Sequence, residues 1–148
     1  MFFVFAGPPW AGKSPTAAQA APRLGLPHLS MDATRQRILP GAAHTRADRA
    51  VAYRTMHFAA ELLRNAGAGV VLDAPYGHAE DRDAVGQLDP LWIECRVSPE
   101  TAVRRFRERG PDPIRLDLTD ELVRLTVSQY RYTGAGLTLD TEALSIEQ

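Results

Sequence analysis

One octapeptide near the start of the chain, Gly7-Pro8-Pro9-Trp10-Ala11-Gly12-Lys13-Ser14, carries the residue types that hold phosphate groups. It fits G-x-x-x-x-G-K-[ST] at every fixed position. The glycines let backbone N–H groups turn inward around phosphate oxygens, and the helix that opens here adds the positive end of its dipole. Lys13 can reach the β- and γ-phosphates of a nucleoside triphosphate, and the Ser14 hydroxyl is a ligand for Mg2+. Thr16, one turn into the helix, joins this ATP-binding set. Composition singles out the same residue: of seventeen basic side chains Lys13 is the sole lysine, and the other sixteen are arginine. The bland alternative is a Gly/Pro turn that caps a helix.

Two carboxylates are candidates for the remaining chemistry. Asp32 follows a strand and would stand beside an acceptor hydroxyl as general base, a reading favoured over its alternative as a cap of the helix after it. A full capping box is absent, because three residues on stands Arg35 rather than Glu or Gln. Asp73 ends an apolar run, where a carboxylate holds Mg2+ through water or contacts substrate; the plainer role is a cap of the loop at Pro75. Burying such a group unpaired is costly, so it is seldom idle.

Arginines form two groups. Arg104, Arg105, Arg107 and Arg109 crowd one helix, and Arg105 and Arg109 share a face, as a pair closing over a moving phosphoryl group would. Between Arg35 and Arg64 lie six arginines against two acids, Asp48 and Glu61. Arg46, Arg49 and Tyr53 share a face there. Either this is a solvated basic surface, or it receives an acceptor that already bears a phosphate or carboxylate. A neutral acceptor would instead use the polar atoms of Tyr53, His57 and Asp32. The four histidines lack metal-ligand spacing, and Cys95 reads as a buried core residue.

The elements that must position these groups alternate. Apolar runs predict strands over 2–6, 26–31, 69–73, 91–97 and 136–140, and helices are expected over 13–24, 32–39, 46–65, 99–110 and 119–132. Val51, Phe58 and Leu62 mark the expected core face of the long helix. Strands separated by helices imply βαβ units. The expected fold is a three-layer α/β domain with a five-stranded, mostly parallel sheet covered by helices on both faces.

At 148 residues the chain suits one domain, and an average share of apolar and charged residues makes disorder, a coiled coil or a membrane span poor readings. A single cysteine makes no internal disulfide, and the apolar start is too short for a signal peptide, so a cytoplasmic protein is expected. The net charge of −1 argues against a nucleic-acid partner.

The chain resembles the small P-loop kinases that include chloramphenicol phosphotransferase, zeta toxins and gluconate kinase, the AAA-type ATP-binding small kinases. It is also similar to the kinase domain of polynucleotide kinases. The resemblance rests on the phosphate loop, on Met31-Asp32-Ala33-Thr34-Arg35, on Val70-Val71-Leu72-Asp73-Ala74 followed by Arg82, and on Arg105 and Arg109. It implies ATP and Mg2+, with Ser14 and Asp73 on the metal. Catalytic roles would fall to Asp32, Lys13, Arg105 and Arg109, and acceptor contacts to Asp32, Arg35, Arg49, Tyr53, Asp73 and Arg82. It further implies an acceptor-binding helical region at about 33–66 and a short arginine-rich lid at about 104–118. Pro15 departs from the family pattern of Thr or Ser, and the sequence runs only a few residues past its last strand, where many relatives carry a helix. The expected activity is transfer of the γ-phosphoryl of ATP to a hydroxyl of a small molecule. The alternatives are a polynucleotide 5′-hydroxyl kinase and a nucleotide-binding module without acceptor chemistry.

Overall fold

Five strands, β1 (Phe2–Ala6), β2 (His28–Ser30), β3 (Val70–Asp73), β4 (Leu91–Arg96) and β5 (Leu137–Asp140), form one sheet in the order β2-β3-β1-β4-β5. The structure is a computed structural model that describes residues 1–111 and 115–144. All four strand pairings are parallel. The expected mixture of directions is therefore sharpened to a wholly parallel sheet, which needs both faces covered. Strand side chains alternate accordingly. Val4, Ala6, Val70 and Leu72 enter one core with Ala52, Met56 and Ala60 of α3 (Arg46–Asn65). Phe5, Val71, Ile93 and Cys95 enter the other. There they meet α1 (Lys13–Leu24), α5 (Pro99–Arg109) and α6 (Asp120–Gln129). Two further helices, α2 (Met31–Ile38) and α4 (Ala79–Gly86), complete the three layers among the described residues.

Two expectations are corrected here. The apolar residues Phe58 and Leu62 of α3 are more than half exposed, and the buried face is Ala52, Tyr53, Met56, His57 and Ala60. The helix is turned so that these five residues pack toward the sheet, and Phe58 and Leu62 face away from it. Helix α4 was not anticipated, since only Asp81 and Val85 of its eight residues are buried and it carries no apolar stripe.

Tyr53 moves from the acceptor face into the core. Its Oη accepts a hydrogen bond from the Tyr76 N–H at 2.9 Å, and the Tyr76 Oη lies 3.0 Å from His57 Nε2. Tyr76 is fully buried with φ 47, a left-handed conformation that a bulky residue holds only when its surroundings impose it. This network pins the segment after β3, whose Pro75 carbonyl accepts the Gly7 N–H at 3.3 Å and the Tyr130 hydroxyl. Tyr53→Phe is expected to cost about 1–3 kcal/mol, because it strands a buried N–H. Thermal unfolding should show a melting temperature lower by about 2–10 °C.

Candidate active site

Loop 7–12 leaves β1 in the middle of the sheet and crosses its carboxyl edge, the place where ligands bind in open α/β sheets. Glycine is required at both ends. A Cβ on Gly7 would stand 2.5 Å from the Cys95 carbonyl oxygen, and Gly12 turns with φ 78 directly before α1. The first N–H groups of α1 have no acceptor within the helix and point out of its end. Lys13 lies buried at this end with its Nζ donating to the Pro8 carbonyl at 2.8 Å. Burial lowers its pKa, an effect opposed by Asp73.

A cavity of about 450 Å3 opens beside the loop, within the range of small-molecule sites. Its wall includes Trp10 of the loop, Lys13 and Ser14 of α1, Asp32 of α2, Asp73 at the end of β3 and Arg109 of α5. Asp73 closes β3 and is 2% exposed, yet its Oδ2 accepts no hydrogen bond. His28 Nε2 approaches that oxygen to 3.5 Å and is likewise without a hydrogen bond. An acceptor oxygen left without a hydrogen bond, on a residue that lines the same cavity as Ser14, suits a hydrated, oxygen-seeking cation such as Mg2+.

Asp32 does not cap its helix. Ser30 takes the N-cap position of α2, and Asp32 sits in the first turn, exposed to the cavity, with no hydrogen-bond partner among the described residues. Favourable alignment with the helix dipole suffices to explain a carboxylate there, but not its place on the cavity wall.

Several expected residues stand elsewhere. Arg105 borders the cavity, but its guanidinium is spent on protein partners: Nη1 donates to the Trp10 carbonyl at 2.9 Å and to Thr141 Oγ1 at 3.0 Å, and Nη2 to the Thr141 carbonyl at 2.7 Å. It ties the phosphate loop to the segment after β5, leaving Arg109 as the exposed arginine of the pair. The expected lid region falls partly at 112–114, outside the described residues. Arg82 donates from Nη2 to the Arg131 carbonyl and is not on the wall. Arg35 is buried, at 2% exposure, and is not on the cavity wall. Arg46 pairs with Asp81 at 2.9 Å and also with Glu80. The Thr16 hydroxyl donates back to the Gly12 carbonyl at 2.7 Å, and Thr16 faces a second, more apolar hollow lined by Leu24, Leu137 and Leu144. His44 and Arg115 line the cavity without having been anticipated. No spacing signal marks either one, because each arrives from a loop.

Among solved structures the fold recurs in kinases. A gluconokinase from Sinorhizobium meliloti is 18% identical with a TM-score of 0.71, covering 98% of this chain and 84% of its own. The APS kinase CysC of Mycobacterium tuberculosis, in complex with AMPPNP and APS, is 21% identical with a TM-score of 0.70, covering 99% and 90%. Shikimate kinase from Acinetobacter baumannii, in complex with shikimate, is 20% identical with a TM-score of 0.63, covering 95% and 83%. No curated protein matches the sequence. No helix among the described residues is long and apolar enough to cross a membrane. The AAA_33 family model, described as an AAA domain, matches residues 2–131, so the loop, both carboxylates and the arginine helix all fall within it, and the chain belongs to that family.

Proposed function

We propose that the chain is an ATP-dependent kinase that transfers the γ-phosphoryl group to a hydroxyl of a small molecule, with Asp32 as general base. One observation carries this reading: Lys13, Ser14, Asp73 and Asp32 all face a single cavity at the carboxyl edge of the sheet. Kinases of small molecules on the same fold support it, the APS kinase being solved with AMPPNP and APS together.

The roles follow from position. The backbone of loop 7–12 and Lys13 hold the phosphates, with the Lys13 ammonium released from the Pro8 carbonyl to do so. Ser14 and Asp73 would hold Mg2+, Ser14 directly and Asp73 through water. The ion, when bound, neutralises phosphate charge. Asp32 accepts the proton of the acceptor hydroxyl, and Arg109 approaches from α5 to stabilise charge on the group in transfer. Arg105 acts only as the tie between loop and β5 segment. Asp73→Asn should keep the fold and lose most of the Mg2+ dependence of ATP binding, read by calorimetry with and without the ion. Unchanged dependence would move Asp73 from the metal to the acceptor.

The direct test incubates the protein with ATP, Mg2+ and a panel of hydroxyl-bearing metabolites. ADP and a phosphomonoester should appear one for one with some member of the panel. Tight ATP binding with no transfer to any acceptor would favour a nucleotide-binding module.

A further inference from the structure

Besides Asp32 the cavity wall carries the donors His44, Arg49 and Arg115, and Arg35, itself not on the wall, bonds His44. Arg35 is 2% exposed, and its Nη1 donates to the Ala42 carbonyl at 3.3 Å while Nη2 meets His44 Nε2 at 3.2 Å. Its Nε is covered and has no partner. Arg49 donates from Nη2 to the His44 carbonyl at 3.1 Å, and its Nε too is covered without a partner. Neither arginine has a carboxylate partner among the described residues. Some other arginines do find one: Arg46 with Asp81, Arg107 with Asp120, Arg115 with Asp117 and Arg124 with Glu100, whereas Arg64, Arg82 and Arg105 bond backbone carbonyls instead. A buried guanidinium left without a counter-charge is destabilising.

The bond between Arg35 and His44 also decides the state of the imidazole. A guanidinium only donates, so His44 Nε2 accepts, and the ring is neutral with its hydrogen on Nδ1. Burial, and then the nearby charges of Arg35 and Arg115, lower the His44 pKa, with Asp32 opposing and Arg49 adding to the fall. His44 therefore offers a donor, and so does Arg49 on the same wall. Arg115 lines the same wall, with its guanidinium bonded twice to Asp117 at 2.9 Å. Of the three polar groups a neutral acceptor would have used, Tyr53 and His57 are buried on α3 away from the cavity and Asp32 alone stands on its wall.

We propose that the acceptor carries an oxyanion, a phosphate, sulfate or carboxylate, bound by Arg49 and His44 with Arg35 bonded to His44. The proposal rests on the kinase reading above and names the class of substrate for that cavity. The anion supplies the counter-charge that the protein withholds, and its oxygens accept from the donors that line the wall. Its attachment there directs the acceptor's hydroxyl toward Asp32 and the phosphate loop.

The test uses the full chain saturated with Mg2+ and AMPPNP, so that the phosphate loop is filled. Inorganic phosphate, sulfate and acetate are then titrated separately, with binding read by calorimetry or by NMR shifts. At least one should bind saturably, and Arg49→Ala should weaken that binding tenfold or more while AMPPNP affinity stays within twofold. Preference for phosphate or sulfate marks a tetrahedral group on the acceptor, and preference for acetate marks a carboxylate; either supports the proposal. Saturable binding of none of the three, or an affinity in Arg49→Ala within twofold of wild type, overturns it and leaves the kinase reading intact. Failure of AMPPNP itself to bind would instead overturn the kinase reading and this inference together.

Discussion

Replacing Lys13 with alanine is expected to lower phosphoryl transfer by at least about a hundredfold, the effect of removing one preorganised charge from a transition state. No other lysine exists to substitute, and the arginine nearest the loop, Arg105, is bonded to Trp10 and Thr141. The ammonium is also poised at low cost. It is buried and already bonded to the Pro8 carbonyl, so it exchanges one oxygen for another rather than leaving water. Truncation frees the Pro8 carbonyl and opens a small space, which a loop-facing site tolerates better than the core. Unfolding of Lys13→Ala should therefore stay close to wild type while turnover collapses. Steady-state ATP consumption with an active acceptor is the measurement. A rate within a few-fold of wild type would remove loop 7–12 from the chemistry altogether.

How much of this could be read without coordinates depends on whether a property is local. The β1–loop–α1 unit is local. Its apolar run, its two glycines and Lys13 all follow one another, and the start of α1 at Lys13 agrees with the sequence reading. The long helix also falls where its composition and the stop at Gly67 put it, over 46–65. Its buried face did not, because the way the helix is turned is set by its packing on the sheet. Alanine, methionine, tyrosine and histidine pack toward the sheet, and Phe58 and Leu62 face away from it.

Side-chain partners are the least local property of all. Arg105 and Arg109, four residues apart, both border the cavity. Nothing in that spacing reveals that β5 would deliver Thr141 to Arg105 and leave Arg109 exposed. The same holds for Tyr53, turned inward by the left-handed backbone of Tyr76, and for Arg46, met by the unanticipated α4 through Asp81. His44 is the converse case. It lies in a loop with no motif and becomes notable only when Arg35 and Arg49 close around it.

Asp32→Asn supplies the second large effect and separates chemistry from binding. A general base contributes about 10²–10⁴ in rate, and the amide that replaces it keeps the shape but cannot take a proton. Asp32 makes no hydrogen bond among the described residues and is exposed, so no packing or network is lost with its charge. Its place in the first turn of α2 implies a dipole contribution of at most about 1 kcal/mol. The variant should thus melt within a few degrees of wild type and bind ATP with unchanged affinity. Transfer to the acceptor should fall by two to four orders of magnitude. Acceptor affinity adds the discriminating measurement. If Asp32 only positions the acceptor through a hydrogen bond, the asparagine still offers one, and the loss should appear in KM with kcat largely kept. If Asp32 takes the proton, kcat falls and KM holds. A variant that retains both kcat and KM would leave the carboxylate as a helix-end charge and make Asp73, the other carboxylate on the cavity wall, the next candidate for the base.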